Sequence, residues 1–563
     1  MNAAGAARFL RTAARLHPRQ VAARLQAALR PAVPAASLDA PGPPPGTLPA
    51  APAFAGLRLH HPGPAASAEA AGIRRGRFTL YGWTRELGHP RPDWMLGERR
   101  RDRLFAISLH YHGFAPALAV RSPALFKALI DDWIARCGPG QPGALALAWN
   151  PYAAATRIAH WCRAHGAAGA AFWRREPEFH GRFVGSLRRQ AALVFERPEW
   201  HLLGNHLVRD ALGMAAAAAF FGQERAEPAG SLGSRALAFA LRVAPGQVLP
   251  DGGPAERSPM YHAQVLEDLL AVRTLLEPQG GAALDPLIAR MRGALTWMRH
   301  PDGQVPLLND STLNGAAHPA TLGLGPLPQG SRLFPDTGLF VHHGPLASLF
   351  FDVGEVGDRW QPGHAHADSL SFECSWKGER LVVDPGAFGY DDDDVRAGDR
   401  STLAHNTLCI DGRDSSECWS IFRVGRRARP RDRAWGGPGP QAWASAAHDG
   451  YRFLPGRPLH RRRVAVDARG VSVSDEVRGG GVHQVEAGLL LAPGWSARAR
   501  PGGWDLRKGP LALRVTVRGP AGVGLSVEDR PYHPGYGVEA PARRLCVRWK
   551  GALPLSLEWR LGA

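Results

Sequence analysis

The chemistry-bearing residues cluster most densely in Gly363-His364-Ala365-His366-Ala367-Asp368. His364 and His366 stand two apart, so in an extended chain they face one side and Asp368 continues the row. A hairpin pattern follows, with a Lys377-Gly378 turn and a run ending in Asp384-Pro385-Gly386. A third histidine arrives at His405, in Ala404-His405-Asn406-Thr407. Two histidines and a carboxylate can hold a divalent cation, and nitrogen ligands favour zinc or a neighbouring transition metal over magnesium. Ligands scattered over about forty residues match no compact zinc motif. Histidines hydrogen-bonded within a core are the alternative.

Two earlier segments also concentrate polar residues. Gly204-Asn205-His206 opens a strongly apolar helix, where Asn205 is either a functional amide or an N-cap satisfying an orphan helix N–H. Asp251 to His262 is a Gly/Pro-rich loop entering a helix. Tyr261 and His262 then fall in its first turn, one aimed from a helix mouth that favours anions, or both simply packed. Asp391 to Asp394 lacks the alternating spacing of a calcium loop and reads as a solvated acidic turn. Arg423, Arg426, Arg427 and Arg429 form a basic cluster that is either a carboxylate or sulfate site or a charged surface strand.

Two kinds of element must position these groups. From about residue 100 to 325, apolar residues recur at spacings of three and four in seven stretches, among them Tyr152 to Ala164, Asn205 to Phe221 and Tyr261 to Leu276. Short Gly/Pro-rich connections between them suit a ring of helical hairpins. Beyond about residue 330 the period becomes two, in short runs such as Ala347 to Val353 and Arg462 to Val466, predicting an antiparallel β-sandwich. The expected organisation is therefore α+β and multidomain. It comprises a basic amphipathic helix and Ala/Pro-rich connector over 1–64, a helical domain over 65–328 and a sandwich over 329–563. The cleft between the two large domains is the expected place for a long ligand.

The chain of 563 residues carries a formal charge of +18, which suits a polyanionic partner. Only four residues are lysine, so arginine supplies nearly all of it; with abundant Gly, Pro and Ala this also fits the codon bias of a GC-rich genome. No basic stretch carries the interleaved aromatic platforms of a single-strand binder, so nucleic acid is not an expected partner. Six scattered cysteines read as buried thiols. Arginines interrupt every apolar stretch of the first thirty residues, so no signal peptide is recognisable. No apolar run reaches the ~20 residues of a transmembrane span. The location reads as cytoplasmic from the sequence and periplasmic or secreted from the substrate considered below. Nothing specifies an oligomeric state.

Taken in order, GNH, DGGPAERSPMYH, HPDGQVPLLNDS, HAHADSLSFE, LVVDPG, STLAHNT and DGRDSSECW form an ordered set of motifs. The set resembles the heparinase II/III-like polysaccharide lyases, from about residue 100 to beyond 430. The resemblance implies an incomplete α/α toroid followed by an antiparallel β-sandwich, in a bacterial enzyme acting on glycosaminoglycans or related uronate polymers, alginate included. It makes Asn205 the residue that binds the uronate carboxylate, Tyr261 the acid and in some cases the base, and His364 the partner base. It makes His366, Asp384 and His405 the ligands of a mainly structural divalent cation, zinc or manganese, with calcium a further option. His206, His262, Arg257 and Arg423 become candidate substrate contacts.

These residue types suit β-elimination, in which the C5 proton of a uronate leaves and the C4–O bond breaks. Neutralising the adjacent carboxylate is the main task, and an amide can donate to the developing enolate. A phenol with a reference pKa near 10 suits protonation of the leaving oxygen, and a histidine near ~6.5 suits proton abstraction. Two rival readings are a metal-dependent glycan hydrolase and a catalytically silent glycan-binding or polysaccharide-assembly protein.

Overall fold

The computed structural model describes residues 3–29, 54, 56–96, 102–221, 231–437 and 441–562. The N-terminal appendage is two helices, Ala3–Ala13 and Pro18–Leu29, where one was expected. Pro18 explains the break, since it has no amide hydrogen and disfavours helical geometry at His17. Residues 30–53 and 55 of the connector lie outside the described residues. Its last stretch packs, with Leu57 buried.

Proline starts many of the helices that follow. Pro123–Arg136, Pro151–Arg175, Pro177–Glu196 and Pro259–Leu275 each begin on this residue, whose missing N–H is an orphan there anyway. Asn150, Ser231 and Ser258 cap their helices with side-chain oxygens. Asn205–Phe221 is buried along nearly its whole length and packs on Pro151–Arg175 and Pro259–Leu275. Small residues permit this. Gly213 lies so close to Ala155 that a Cβ on it would collide, and Ala215 to Ala217 are fully buried.

Among the described residues, the C-terminal half is built on two antiparallel sheets of eight and nine strands, with a two-stranded ribbon, Cys418–Trp419 with Arg423–Val424, beside them. The eight-stranded sheet shows the expected alternation, as in Leu459–Asp467, where every second residue is buried. In the nine-stranded sheet Leu339–His343 and Phe372–Trp376 are buried at every position. The reason is a third layer. Val341 and Phe350 pack into the core of the helical domain, while Phe340 and Phe351 face the second sheet. A sheet covered on both faces has no wet row, and its polar residues Glu373 and Ser375 pair with His300 instead of water.

His364 to Asp368 is loop rather than the extended run expected, lying between Ala347–Asp352 and Phe372–Trp376. The acidic run is a solvent-exposed turn over Asp392 to Asp394, as expected, and two of its acids also hold structure. Asp391 accepts from the backbone N–H groups of Asp102 and Arg103 at 2.9 and 3.0 Å, and Asp393 caps helix Asp394–Asp399.

Candidate active site

A cavity of about 400 Å³ lies between the helical domain and the sandwich, and Asn205, Tyr261 and His364 all line it. Tyr261 owes its place to the start of its helix. Ser258 accepts a hydrogen bond from the Tyr261 N–H at 3.2 Å and donates to the Asp310 carbonyl at 3.0 Å, locking the helix mouth to the loop around residue 310. The Tyr261 ring stacks on His364 with centroids 3.9 Å apart. Its hydroxyl is 2.8 Å from that of Tyr390, which is 2.6 Å from that of Tyr536. Burial, then the neighbouring Tyr390 and Tyr536 phenols and Asp310, raise the Tyr261 phenol well above 10.

Asn205 does not spend its side chain on capping. Its backbone N–H donates to Glu256 Oε1 at 2.6 Å, and its Nδ2 lies 3.0 Å from Glu256 Oε2. Gly204, at φ +67°, makes this approach feasible, because a Cβ there would stand 2.6 Å from Glu256 Oε1. A carboxylate only accepts, so the amide must present nitrogen to Glu256. Nδ2 is also 3.5 Å from His364 Nε2, which itself lies 3.3 Å from Glu256 Oε2. Glu256→Gln is expected to turn the Asn205 amide over. Gln Oε1 would stay on the Asn205 backbone N–H and its NH₂ would oppose Nδ2. Turnover should then fall about a hundredfold, as when one oxyanion donor is lost. Unchanged kinetics would show that Glu256 does not orient the amide.

Asp310 joins the two histidines of the HAH run. It receives His364 Nδ1 at 2.9 Å and His366 Nε2 at 2.8 Å, and both terminal nitrogens of Arg396. Burial works to raise its carboxyl, but the Arg396 charge and the bonds from His364, His366 and Arg396 outweigh burial and hold it well below the usual range.

Behind this hub, His366, Asp384 and His405 bring one potential ligand atom each to within 4.8 Å of the others. All three residues are fully buried. His366 Nδ1, Asp384 Oδ1 and His405 Nε2 have no hydrogen-bond partner, and neither does Asp368 Oδ2. Burial lowers the His366 imidazole to about 3, so with Nε2 given to Asp310 its Nδ1 offers a lone pair. Two such nitrogens and a carboxylate are a donor set that fits zinc, and Asp310 is the carboxylate partner that zinc-binding histidines commonly have.

The remaining candidate substrate contacts divide. His206 lines the cavity, 2.7 Å from Glu199 and against the Tyr152 ring. The other three do not reach it. His262 turns into the helical core, with Nε2 3.1 Å from the Met291 carbonyl, because the residue after Tyr261 points about 100° round the helix. Arg257, in left-handed backbone at φ +62°, gives its guanidinium to the Asp336 carbonyl. Arg423 lies over the half-buried Trp419, 4.8 Å from the ring centroid. Arg426 and Arg427 donate to backbone carbonyls, so these two members of the basic cluster are structural, while Arg429 is exposed.

Sequence reading missed Glu256, Asp310, Tyr390, Arg396 and Tyr536. Glu256 and Asp310 sat inside quoted motifs, as acids amid Gly, Pro and apolar residues. The tyrosines had a compositional signal: the chain has eight, and Tyr81, Tyr111, Tyr152, Tyr261, Tyr390 and Tyr536 all line one cavity.

A helical ring and an antiparallel sandwich holding Asn, Tyr and His across one cavity define a polysaccharide lyase architecture. The heparinase II/III N-terminus model matches residues 122–336, and the heparinase II/III-like C-terminal model matches residues 326–560. The chain belongs to the heparinase II/III-like family and is a polysaccharide lyase by that membership. A crystal structure of heparinase III superposes with a TM-score of 0.74 at 15% identity, covering 92% of this chain and 87% of that one. A heparan sulfate lyase from Pedobacter heparinus gives 0.56 at 16% identity, over 96% and 87%. These likenesses bear on the fold. FtsZ-localized protein C of Caulobacter vibrioides is 27% identical over 451 residues, 75% of this chain and 72% of that protein. Among the described residues no helix is long and apolar enough to cross a membrane.

Proposed function

We propose that the chain cleaves a uronate-containing acidic glycan by β-elimination, leaving a 4,5-unsaturated uronate at the new non-reducing end. The observation that carries this reading is the stack of Tyr261 on His364 at 3.9 Å, with the Asn205 amide 3.5 Å from the same imidazole, on one cavity wall. Nδ2 carries two hydrogens. One serves Glu256, and the other, 3.5 Å from His364 Nε2, would pass to the uronate carboxylate as it takes up enolate charge. His364, oriented through Nδ1 by Asp310, takes the C5 proton through Nε2. Tyr261, with its phenol held protonated, gives its proton to the departing C4 oxygen. The C–H electron pair becomes the C4=C5 double bond and the C4–O pair leaves with the aglycone, so no water is consumed.

A divalent cation, zinc by preference, is proposed at His366, Asp384 and His405. It would supply charge neutralisation and rigidity in this loop cluster, a structural contribution. The purified protein is expected to carry about one zinc per chain by elemental analysis. His405→Ala should lose it, with a melting temperature that no longer rises on zinc addition. A His405→Ala variant retaining stoichiometric zinc would dismiss this ligand set.

The relative named FtsZ-localized protein C supports a second reading, in which the chain binds glycan or helps assemble it without cutting it. One assay separates the readings. Incubation with hyaluronan, chondroitin sulfate, heparan sulfate and alginate is followed by ultraviolet absorbance and product mass. Absorbing products without added water support the lyase. A mass gain of one water per cut indicates the hydrolase, and no cut at all favours the silent binder.

A further inference from the structure

The segment Arg400 to Thr407 carries more polar side chains than its one candidate metal ligand, His405, requires. Three of them, Arg400, Thr402 and Thr407, are almost wholly buried and share one target. Arg400 donates from Nε and one terminal nitrogen to the Ala365 carbonyl, at 3.1 and 3.0 Å. The Thr402 hydroxyl donates to the Ala367 carbonyl at 2.8 Å, and the Thr407 hydroxyl to the Ser369 carbonyl at 2.9 Å. Alternate carbonyls of the loop that carries His364 and His366 are thus taken, one after another, by side chains of a second segment. The Ala367 N–H returns the contact, donating to the Arg400 carbonyl at 3.0 Å. The side chains of His364 and His366 turn instead to Asp310.

The loop belongs to no strand, yet Gly363 to Leu370 are all buried. Buried carbonyls without a ladder need other donors, and the two hydroxyls meet that need. The choice of Arg400 asks for a further reason. Its remaining donors go to the carbonyls of Ser420, Ile421 and Arg423, at 2.9, 3.1 and 3.3 Å. All five of its N–H groups therefore end on backbone carbonyls and none on a carboxylate. Burying a guanidinium without an ion pair is costly. What only a planar, rigid fork supplies is a fixed connection between two backbones. One is the Ala365 carbonyl, between the two histidines. The other is the turn of the ribbon Cys418–Trp419 with Arg423–Val424, where Phe422 lines the cavity with its ring centroid 6.1 Å from that of His364.

We infer that Arg400, Thr402 and Thr407 are positioning residues for His364, which hold its imidazole in place against substrate by fixing the backbone that follows it. Their effect on turnover rests on the lyase reading above. The test compares Arg400→Lys, Thr402→Val and Thr407→Val with the wild-type chain, all full-length and zinc-loaded. Turnover, KM and melting temperature are measured. The Nδ1 proton of His364 is followed by NMR on protein carrying isotopically labelled histidine, its resonance assigned by its loss in His364→Ala. A misplacement of about 1 Å can lower turnover by about a hundredfold, the loss expected for Arg400→Lys, with about tenfold for each valine variant and KM within about twofold. The His364 resonance should shift in each. Normal turnover or an unmoved resonance overturns the inference, and a lowered melting temperature alone is the mark of residues that merely satisfy buried carbonyls. The valine variants keep the shape of threonine, so they decide the matter if Arg400→Lys does not fold. If the wild-type chain cuts no uronate polymer, the lyase reading falls and the resonance alone judges the positioning.

Discussion

Tyr261→Phe is expected to lower turnover by about 10²–10⁴-fold, the range over which a positioned general acid contributes, with little change in substrate affinity or melting temperature. The substitution is clean because phenylalanine keeps the ring that stacks on His364 at 3.9 Å. Only the hydroxyl is lost, together with its contact to Tyr390. The raised phenol also fixes a sign for the pH profile. Burial holds the proton on Tyr261 beyond pH 10, and the protonated form is the one that works as acid. Loss of this proton therefore contributes no fall in activity between pH 7 and 10, and any alkaline decline in that range belongs to another group. The measurement is the initial rate of the ultraviolet signal across pH. Near wild-type turnover in Tyr261→Phe would end the assignment of the acid.

Asp310→Asn should harm both stability and turnover. Arg396 is almost wholly buried and delivers two of its nitrogens to this one carboxylate. Removing the charge leaves a buried guanidinium uncompensated, at a cost of about 3–5 kcal/mol. An amide also cannot accept from His364 Nδ1, His366 Nε2 and Arg396 together, so the tautomer and orientation of His364 are lost. Where a carboxylate holds a catalytic histidine in this way, its amide variant loses on the order of 10⁴ in turnover. The Asp310 carboxyl is depressed on folding, so it stabilises the fold at pH above its unfolded value of about 3.9. That stability is lost as pH falls below this value toward the depressed folded one. Asp310→Asn should therefore flatten the acid limb of the stability curve as well as lower its plateau, as thermal melts across pH would record. A variant that melts early yet turns over at the normal rate would reduce Asp310 to a scaffold residue.

The sequence carried the change from helical to strand period, and the motif order carried the residues that meet at the cavity. Its blind spots share one cause. Period-two reasoning assumes one wet face, so it described Leu459–Asp467 well and could not foresee strands such as Leu339–His343 pressed between two layers. The same locality explains the HAHAD run. Spacing made His364 and His366 neighbours on a strand, whereas they sit in a loop and are related through Asp310, more than fifty positions away. Glu256 was passed over because a lone acid in a Gly/Pro-rich loop reads as solvated, and only the left turn at Gly204 brings Asn205 onto it. Arg423 and Arg257 lie outside the cavity for the opposite reason: arginine clusters suggest anions, but backbone carbonyls and aromatic faces can occupy guanidinium groups just as well.

The sheet that belongs to two cores has a consequence for how this molecule comes apart. Val341 and Phe350 serve the helical domain from within strands whose alternate residues, Phe340 and Phe351, serve the sandwich. Pulling the halves apart would lay bare one face of a fully formed sheet. A break in the chain near residue 330 would not yield two self-sufficient pieces, but a ring missing its floor and a sandwich with an oily exterior. The ring and the sandwich must therefore fold, and be kept, together.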